Sequence, residues 1–117
     1  DLSVVTARPI SIRDETLAWV EKNFPRKFSE IYFTRDVYFG RKKKSEICSE
    51  NNYSLMIEDE ARYSNSIARK GINVLLVEQP WNWETLHPNV VRVRNWDEIR
   101  RRLALLHESI QLNLGKI

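Results

Sequence analysis

The sequence holds one cysteine among its 117 residues, Cys48, so it can form no internal disulfide. That excludes a disulfide-stapled secreted scaffold and leads us to expect a reducing, cytoplasmic setting. It has no apolar run near the ~20 residues that cross a bilayer, and no signal peptide is visible. A membrane is therefore not an expected partner. It also lacks a large charge excess. Nineteen basic residues face 16 acidic ones, for a net charge of +3. Both signs are scattered along the chain, so an anionic ligand is compatible but nucleic acid is not an expected partner. Internal repeats and low-complexity tracts are missing too. The two histidines, His87 and His107, lie far apart and have no metal-ligand spacing with Cys48.

What is present describes a globular chain. Hydrophobic residues make up 42% and charged residues 30%, a balance that argues against disorder. The length suits one domain, so residues 1–117 are expected to form a single, partial domain. The chain opens at Asp1 and runs straight into Leu2-Ser3-Val4-Val5. This beginning reads as a cut in front of a strand, or as a chain whose earlier part is not seen.

Short β-branched runs alternate with helical patterns. Residues 2–5 predict a strand that ends at Thr6-Ala7-Arg8-Pro9. Ser11, with Asp14 three residues on, predicts a capping-box start to a helix. Ile12, Thr16, Val20 and Phe24, beside Leu17, give that helix an apolar face, and Pro25 ends it. Ile31-Tyr32-Phe33 predicts a second strand. A short helical segment is expected around Glu46-Ile47-Cys48, with Cys48 as a small buried hydrophobe. Residues 54–57 predict a third strand, stopping at Glu58-Asp59-Glu60. A helix over residues 61–70 should end at Gly71, and residues 73–77 predict a fourth strand. After the aromatic loop Gln79-Pro80-Trp81-Asn82-Trp83, residues 90–93 are extended. A last helix starts at Asn95, capped with Glu98, and aligns Ile99, Leu103, Leu106 and Ile110. Continuous apolar strands between helices imply a parallel sheet buried on both faces.

Ligands of open parallel sheets bind beyond the carboxyl ends of the strands. The residues there are Thr6, Ala7 and Arg8 after the first strand and Glu58 and Asp59 after the third, with Lys44 opening a helix between them. A hydroxyl, an ammonium group and paired carboxylates form a consistent set for a phosphate with a divalent cation. Each also has an ordinary reading. A threonine after a strand is usually a turn residue. Lys44 belongs to the basic run Arg41-Lys42-Lys43-Lys44, commonly a solvated face. Acidic residues stabilise helix starts without any metal. Trp81 and Trp83 either stack on a base or cover the sheet edge, with covering favoured.

Val4-Val5-Thr6-Ala7-Arg8-Pro9, Lys44-Ser45-Glu46-Ile47-Cys48 and Leu55-Met56-Ile57-Glu58-Asp59 resemble the second, third and fourth motifs of the haloacid dehalogenase superfamily. The stretch from Lys44 through Gly71-Ile72-Asn73-Val74-Leu75-Leu76 to Gln79-Pro80-Trp81-Asn82 is similar to its 5'-nucleotidase-like and deoxyribonucleotidase-like branch. This resemblance implies a three-layer α/β/α Rossmann-like core with a mostly parallel sheet. It further implies a magnesium-dependent phosphomonoesterase acting on phosphorylated small molecules, nucleotides among them. Thr6 and the Ala7 N–H would bind the phosphoryl group, with Arg8 reaching substrate. Lys44 would stabilise the phosphate and the nucleophile. Glu58 would hold magnesium, and Asp59 would support the metal or orient Lys44.

The chain departs from that pattern in one respect. The family's first motif, a strand ending in Asp-x-Asp that supplies the nucleophile, does not occur here; Asp36-Val37-Tyr38 follows a strand but has no second aspartate. A carboxylate nucleophile splits phosphoryl transfer into two easier steps. Without one, this chain alone should bind phosphate and metal yet not turn over. The resemblance places the missing strand centrally, so the core should be incomplete, with apolar edges open. An amino-terminal fragment, a second copy or the rest of a clipped parent should fill the gap. The chief competitor is a non-catalytic binding or structural module on the same fold. A weaker one is a nucleic-acid factor using residues 41–44.

Overall fold

Apolar runs punctuated by turn residues become short parallel strands throughout the chain. The computed structural model describes residues 2–35 and 41–114, with side chains up to residue 106. Asp36 lies outside the described residues. The chain divides into two compact units, residues 1–53 and residues 54–117.

In the first unit, β1 (Ser3–Thr6) pairs in parallel with β2 (Glu30–Phe33), setting Ser3 opposite Glu30 and Thr6 opposite Phe33. Parallel neighbours need a crossover. It is made by a 3₁₀ turn at Ile10–Ile12 followed by α1 (Arg13–Asn23). The predicted capping box does not form. Ser11 sits inside the 3₁₀ turn, and the N-cap position falls to Ile12 with no side-chain bond. The Thr16 hydroxyl instead donates to the Ile12 carbonyl at 2.7 Å. Thr16 and Val20 are buried as expected, but Phe24 lies beyond the helix and is exposed. There it meets Trp19 and Phe28 edge-on, with ring centres 6.0 and 5.9 Å away.

α2 (Lys44–Glu50) extends the helical segment the sequence suggests and buries Ser45, Ile47 and Cys48. It packs against β1. Asn52 then adopts φ +55°, a left-handed position that asparagine tolerates well. The Tyr32 hydroxyl donates to Asn51 at 3.1 Å, tying β2 to the end of α2. Desolvation foremost, then the hydrogen bond and charge of Tyr53 and the charge of Glu30, raises the Tyr32 phenol above its ordinary pKa.

In the second unit, β3 (Leu55–Glu58), β4 (Asn73–Val77) and β5 (Val90–Val93) form a parallel sheet in that order. Leu55 lies opposite Asn73, and Val74 opposite Val90. α3 (Ala61–Ala68) is the first crossover and packs on β4. It stops two residues earlier than expected, and Gly71 turns the chain at φ +84°. Leu75, Val93 and Ile99 form a buried cluster, with Leu55, Ile57, Val77 and Val91 packed around it. Val74 and Leu76, also buried, alternate to the opposite face.

Burial on both faces therefore holds for β4 but not for β1 or β3. In β1 only Val5 is buried, and Leu55, Met56 and Ile57 of β3 are half-buried. Among the described residues β1 pairs only with β2, and β3 only with β4.

α4 (Trp96–Leu114) begins as predicted. Asn95 Oδ1 accepts the Glu98 N–H at 2.9 Å, and the Glu98 carboxylate accepts the Arg94 N–H at 2.9 Å. Its apolar stripe is only partly core. Ile99 is buried, whereas Leu103 and Leu106 are 39% and 38% exposed. His107 and Ile110 lie beyond the described side chains. Among the described residues no helix is long and apolar enough to cross a membrane.

Candidate functional site

The carboxyl ends of the strands carry the candidate residues in both units. Thr6 is the last residue of β1, and its Oγ1 accepts the Arg8 N–H at 3.1 Å. The hydroxyl thus closes a local turn, the ordinary role of a threonine there, while keeping its own proton to donate. Ala7 is half-buried and Arg8 exposed. The Thr6 carbonyl accepts Thr34 N–H at 3.0 Å, and the Thr34 carbonyl accepts Lys42 N–H at 3.2 Å. Those two links bring the segment entering α2 to the same end of the sheet as the Thr6 turn. Lys44 follows two residues later, half-buried, as the first residue of α2. Lys42 itself pairs with Glu50 at 2.7 Å. Arg41 is exposed, as a solvated basic run would be.

In the second unit, Glu58 ends β3 with only 7% of its surface exposed. Its Oε1 accepts the N–H groups of Asp59 at 3.0 Å and Glu60 at 3.3 Å, bending the chain into α3. Asp59 is exposed. Its carbonyl accepts Asn82 Nδ2 at 2.8 Å and Trp81 Nε1 at 3.3 Å. Asn82 is wholly buried, and its remaining bonds reach the other two strands. Nδ2 also donates to the Val77 carbonyl at 2.8 Å, and Oδ1 accepts from Gln79 N–H at 3.0 Å and Arg92 Nη1 at 2.9 Å. One side chain therefore links the ends of β3 and β4 to Arg92 of β5. The Arg92 guanidinium lies 4.4 Å from the centre of the Trp83 ring. On the far side of this loop, Asn65 of α3 donates to the Thr85 carbonyl at 3.0 Å and accepts His87 N–H at 2.8 Å. His87 Nδ1 accepts Asn89 N–H at 3.0 Å, which gives this histidine a place in the turn.

The comparisons with known proteins bear on this arrangement. The chain is 30% identical over 98 residues to the protein named "Putative nucleotidase YqfW" from Bacillus subtilis (strain 168). It is 28% identical over 90 residues to "Nucleotidase CA_C3379" from Clostridium acetobutylicum. The first alignment covers 83% of this chain and 48% of that protein; the second covers 77% and 46%. The chain thus spans about half the length of the curated relatives it matches. No family model matches the chain, and no solved structure does.

Two residues of this region escape a reading by periodicity. Asn82 stands in a loop motif that the sequence marks, but its role depends on partners up to 23 residues away. Arg92 offers a plainer signal, a charged residue inside the apolar run Val90-Val91-Arg92-Val93. Trp81 and Trp83 are 56% and 65% exposed, with Trp83 lying against Arg92 of the edge strand β5.

Among the described residues no group of three or more His, Cys, Asp or Glu is arranged to hold a metal ion. The donor chemistry at Glu58 and Asp59 nevertheless suits magnesium, which takes one or two carboxylates and completes its shell with water and phosphate. An apolar cavity of about 260 Å³ lies elsewhere, lined by Leu55 and Asn73 at the amino ends of β3 and β4 and by Leu105 and Leu106 of α4.

Proposed function

We propose that this chain is the phosphate- and metal-binding part of a magnesium-dependent phosphomonoesterase of haloacid dehalogenase type, acting on nucleotides. The observation that carries this reading is the placement of Thr6, Ala7 and Arg8 at the end of β1, and of Glu58 and Asp59 at the end of β3. Parallel sheets present ligand-binding groups at those ends. The similarity to two proteins named as nucleotidases supports the nucleotide as substrate.

In this reading the Thr6 hydroxyl donates to a phosphate oxygen while its lone pair holds the Arg8 N–H. The Ala7 N–H binds a second oxygen, and Lys44 offsets the phosphate's charge. Glu58 and Asp59 hold magnesium, which when bound neutralises charge on the phosphate. The attacking carboxylate is not among these 117 residues. An amino-terminal segment ending in Asp-x-Asp, or failing that a second copy, supplies it and pairs with an open strand edge at β1 or β3. The half-burial of both strands supports that view. The lack of an Asp-x-Asp pair favours a second reading, a non-catalytic module that binds nucleotide without hydrolysing it.

The test is phosphate release from nucleoside monophosphates by the full-length natural protein, with and without magnesium. Turnover should require magnesium. Glu58→Gln should lower it at least about a hundredfold, a loss on the scale of removing one preorganised electrostatic group. The fold should persist, because the glutamine carbonyl can still accept the Asp59 and Glu60 N–H groups. Nucleotide binding without turnover would establish the second reading. Neither binding nor turnover would refute both.

A further inference from the structure

The turn after β3 is held from two directions. Glu58 Oε1 accepts the N–H groups of Asp59 and Glu60. The Asp59 carbonyl accepts Asn82 Nδ2 at 2.8 Å and Trp81 Nε1 at 3.3 Å. Both main-chain groups of Asp59 are thus bonded to side chains, and its carbonyl oxygen has two lone pairs for the two donors. The Asp59 side chain itself is exposed. It is short, so a fixed peptide confines its carboxylate to the few positions its rotamers allow.

Asn82 is itself fixed, and not only by its own loop. An asparagine that merely closed that loop would be satisfied by Val77 and Gln79, five and three residues away. Its other two bonds reach Asp59, 23 residues away past the end of β3, and Arg92 of β5, 10 residues away. The Arg92 guanidinium is backed in turn by the Trp83 ring. Asn82 is wholly buried, and a buried amide is costly unless its polar atoms are matched. Here they are matched by groups of β4, of β5 and of one acidic turn. All of these residues lie in the second unit.

Magnesium demands a nearly regular octahedral shell, so it is sensitive to where its ligands stand. Groups that orient a ligand from behind raise metal affinity without touching the ion. Resting on the magnesium reading above, we propose that Asn82 is a positioning residue for the metal-binding turn. Through the Asp59 carbonyl it holds the Asp59 carboxylate ready for the ion, and Trp81 assists through the same oxygen.

The test is calorimetric titration of the full-length natural protein with magnesium chloride, at a temperature where circular dichroism shows each variant folded. Asn82→Ala should weaken magnesium binding at least about tenfold. Ile99→Ala is the control, because it loosens the same unit through its core and leaves the bonds of the turn in place. Its dissociation constant should stay within about threefold of the natural one. A loss in Asn82→Ala no larger than that control's would overturn the proposal, assigning the effect to general loosening. If Asn82→Ala does not fold, Trp81→Phe decides, since it removes one bond to Asp59 from an exposed ring. It should weaken binding about two- to fivefold, and natural affinity in that variant would overturn the proposal. Absence of magnesium binding in the natural protein would overturn the metal reading and the proposal together. Natural binding that the variants leave unchanged would overturn the proposal alone.

Discussion

Replacing Asn82 with alanine tests the central physical claim about the second unit. The side chain is wholly buried and makes four hydrogen bonds, two as donor and two as acceptor. Only one orientation of the amide satisfies all four, because carbonyls face Nδ2 while an N–H and a guanidinium face Oδ1. Each such bond contributes about 1 kcal/mol net, and a buried group left unpaired costs about 1–3 kcal/mol. Water admitted to the vacated space would restore part of that loss. The expected cost of Asn82→Ala is therefore about 3–5 kcal/mol, a large share of the 5–15 kcal/mol typical of a domain. Asn82→Asp has the same shape and keeps both acceptor contacts. It places an oxygen against the Asp59 and Val77 carbonyls, where donors now stand at 2.8 Å. It should also destabilise at neutral pH, and less in acid, where the protonated carboxyl regains one donor. Equilibrium urea unfolding of the full-length protein, followed by circular dichroism and tryptophan fluorescence, measures both. A cost below about 1 kcal/mol for Asn82→Ala would show that the strand ends do not depend on this residue.

The helix α4 yields a contrast between neighbouring residues. Ile99→Ala should cost about 2–5 kcal/mol, because Ile99 is 1% exposed within the Leu75–Val93 cluster. Leu105→Ser should stay within about 0.5 kcal/mol, since Leu105 is 60% exposed, and thermal unfolding compares the two. Gly71→Ala should cost about 1 kcal/mol for conformational reasons alone. A Cβ there meets nothing within 4 Å, but φ is +84°. If Gly71→Ala is neutral, the left-handed turn after α3 is not enforced.

Local chemistry made much of this fold legible. Apolar runs bounded by Pro25, Gly71 and Glu58-Asp59-Glu60 located the strands and helices, and Asn95 with Glu98 marked the start of α4. Alternation of strands and helices was enough to expect parallel pairing, because such neighbours need a crossover. The ends of β1 and β3 were readable for the same reason, and so were Thr6, Glu58 and Asp59 as residues worth inspection. The capping box at Ser11 failed because the chain tightens into a 3₁₀ turn first and shifts the cap to Ile12.

Sequence by itself determined the order of elements, their parallel sense and which residues stand at the strand ends. These follow from periodicity and turn chemistry acting over a few neighbouring residues. Tertiary structure decided what those residues touch. It alone showed that Asn82 gathers Asp59, Val77 and Arg92, that Trp81 is tethered yet exposed, and that the α4 stripe is covered at Ile99 but open at Leu103 and Leu106. Such contacts join residues brought together by sheet register and crossovers, and no local pattern encodes them.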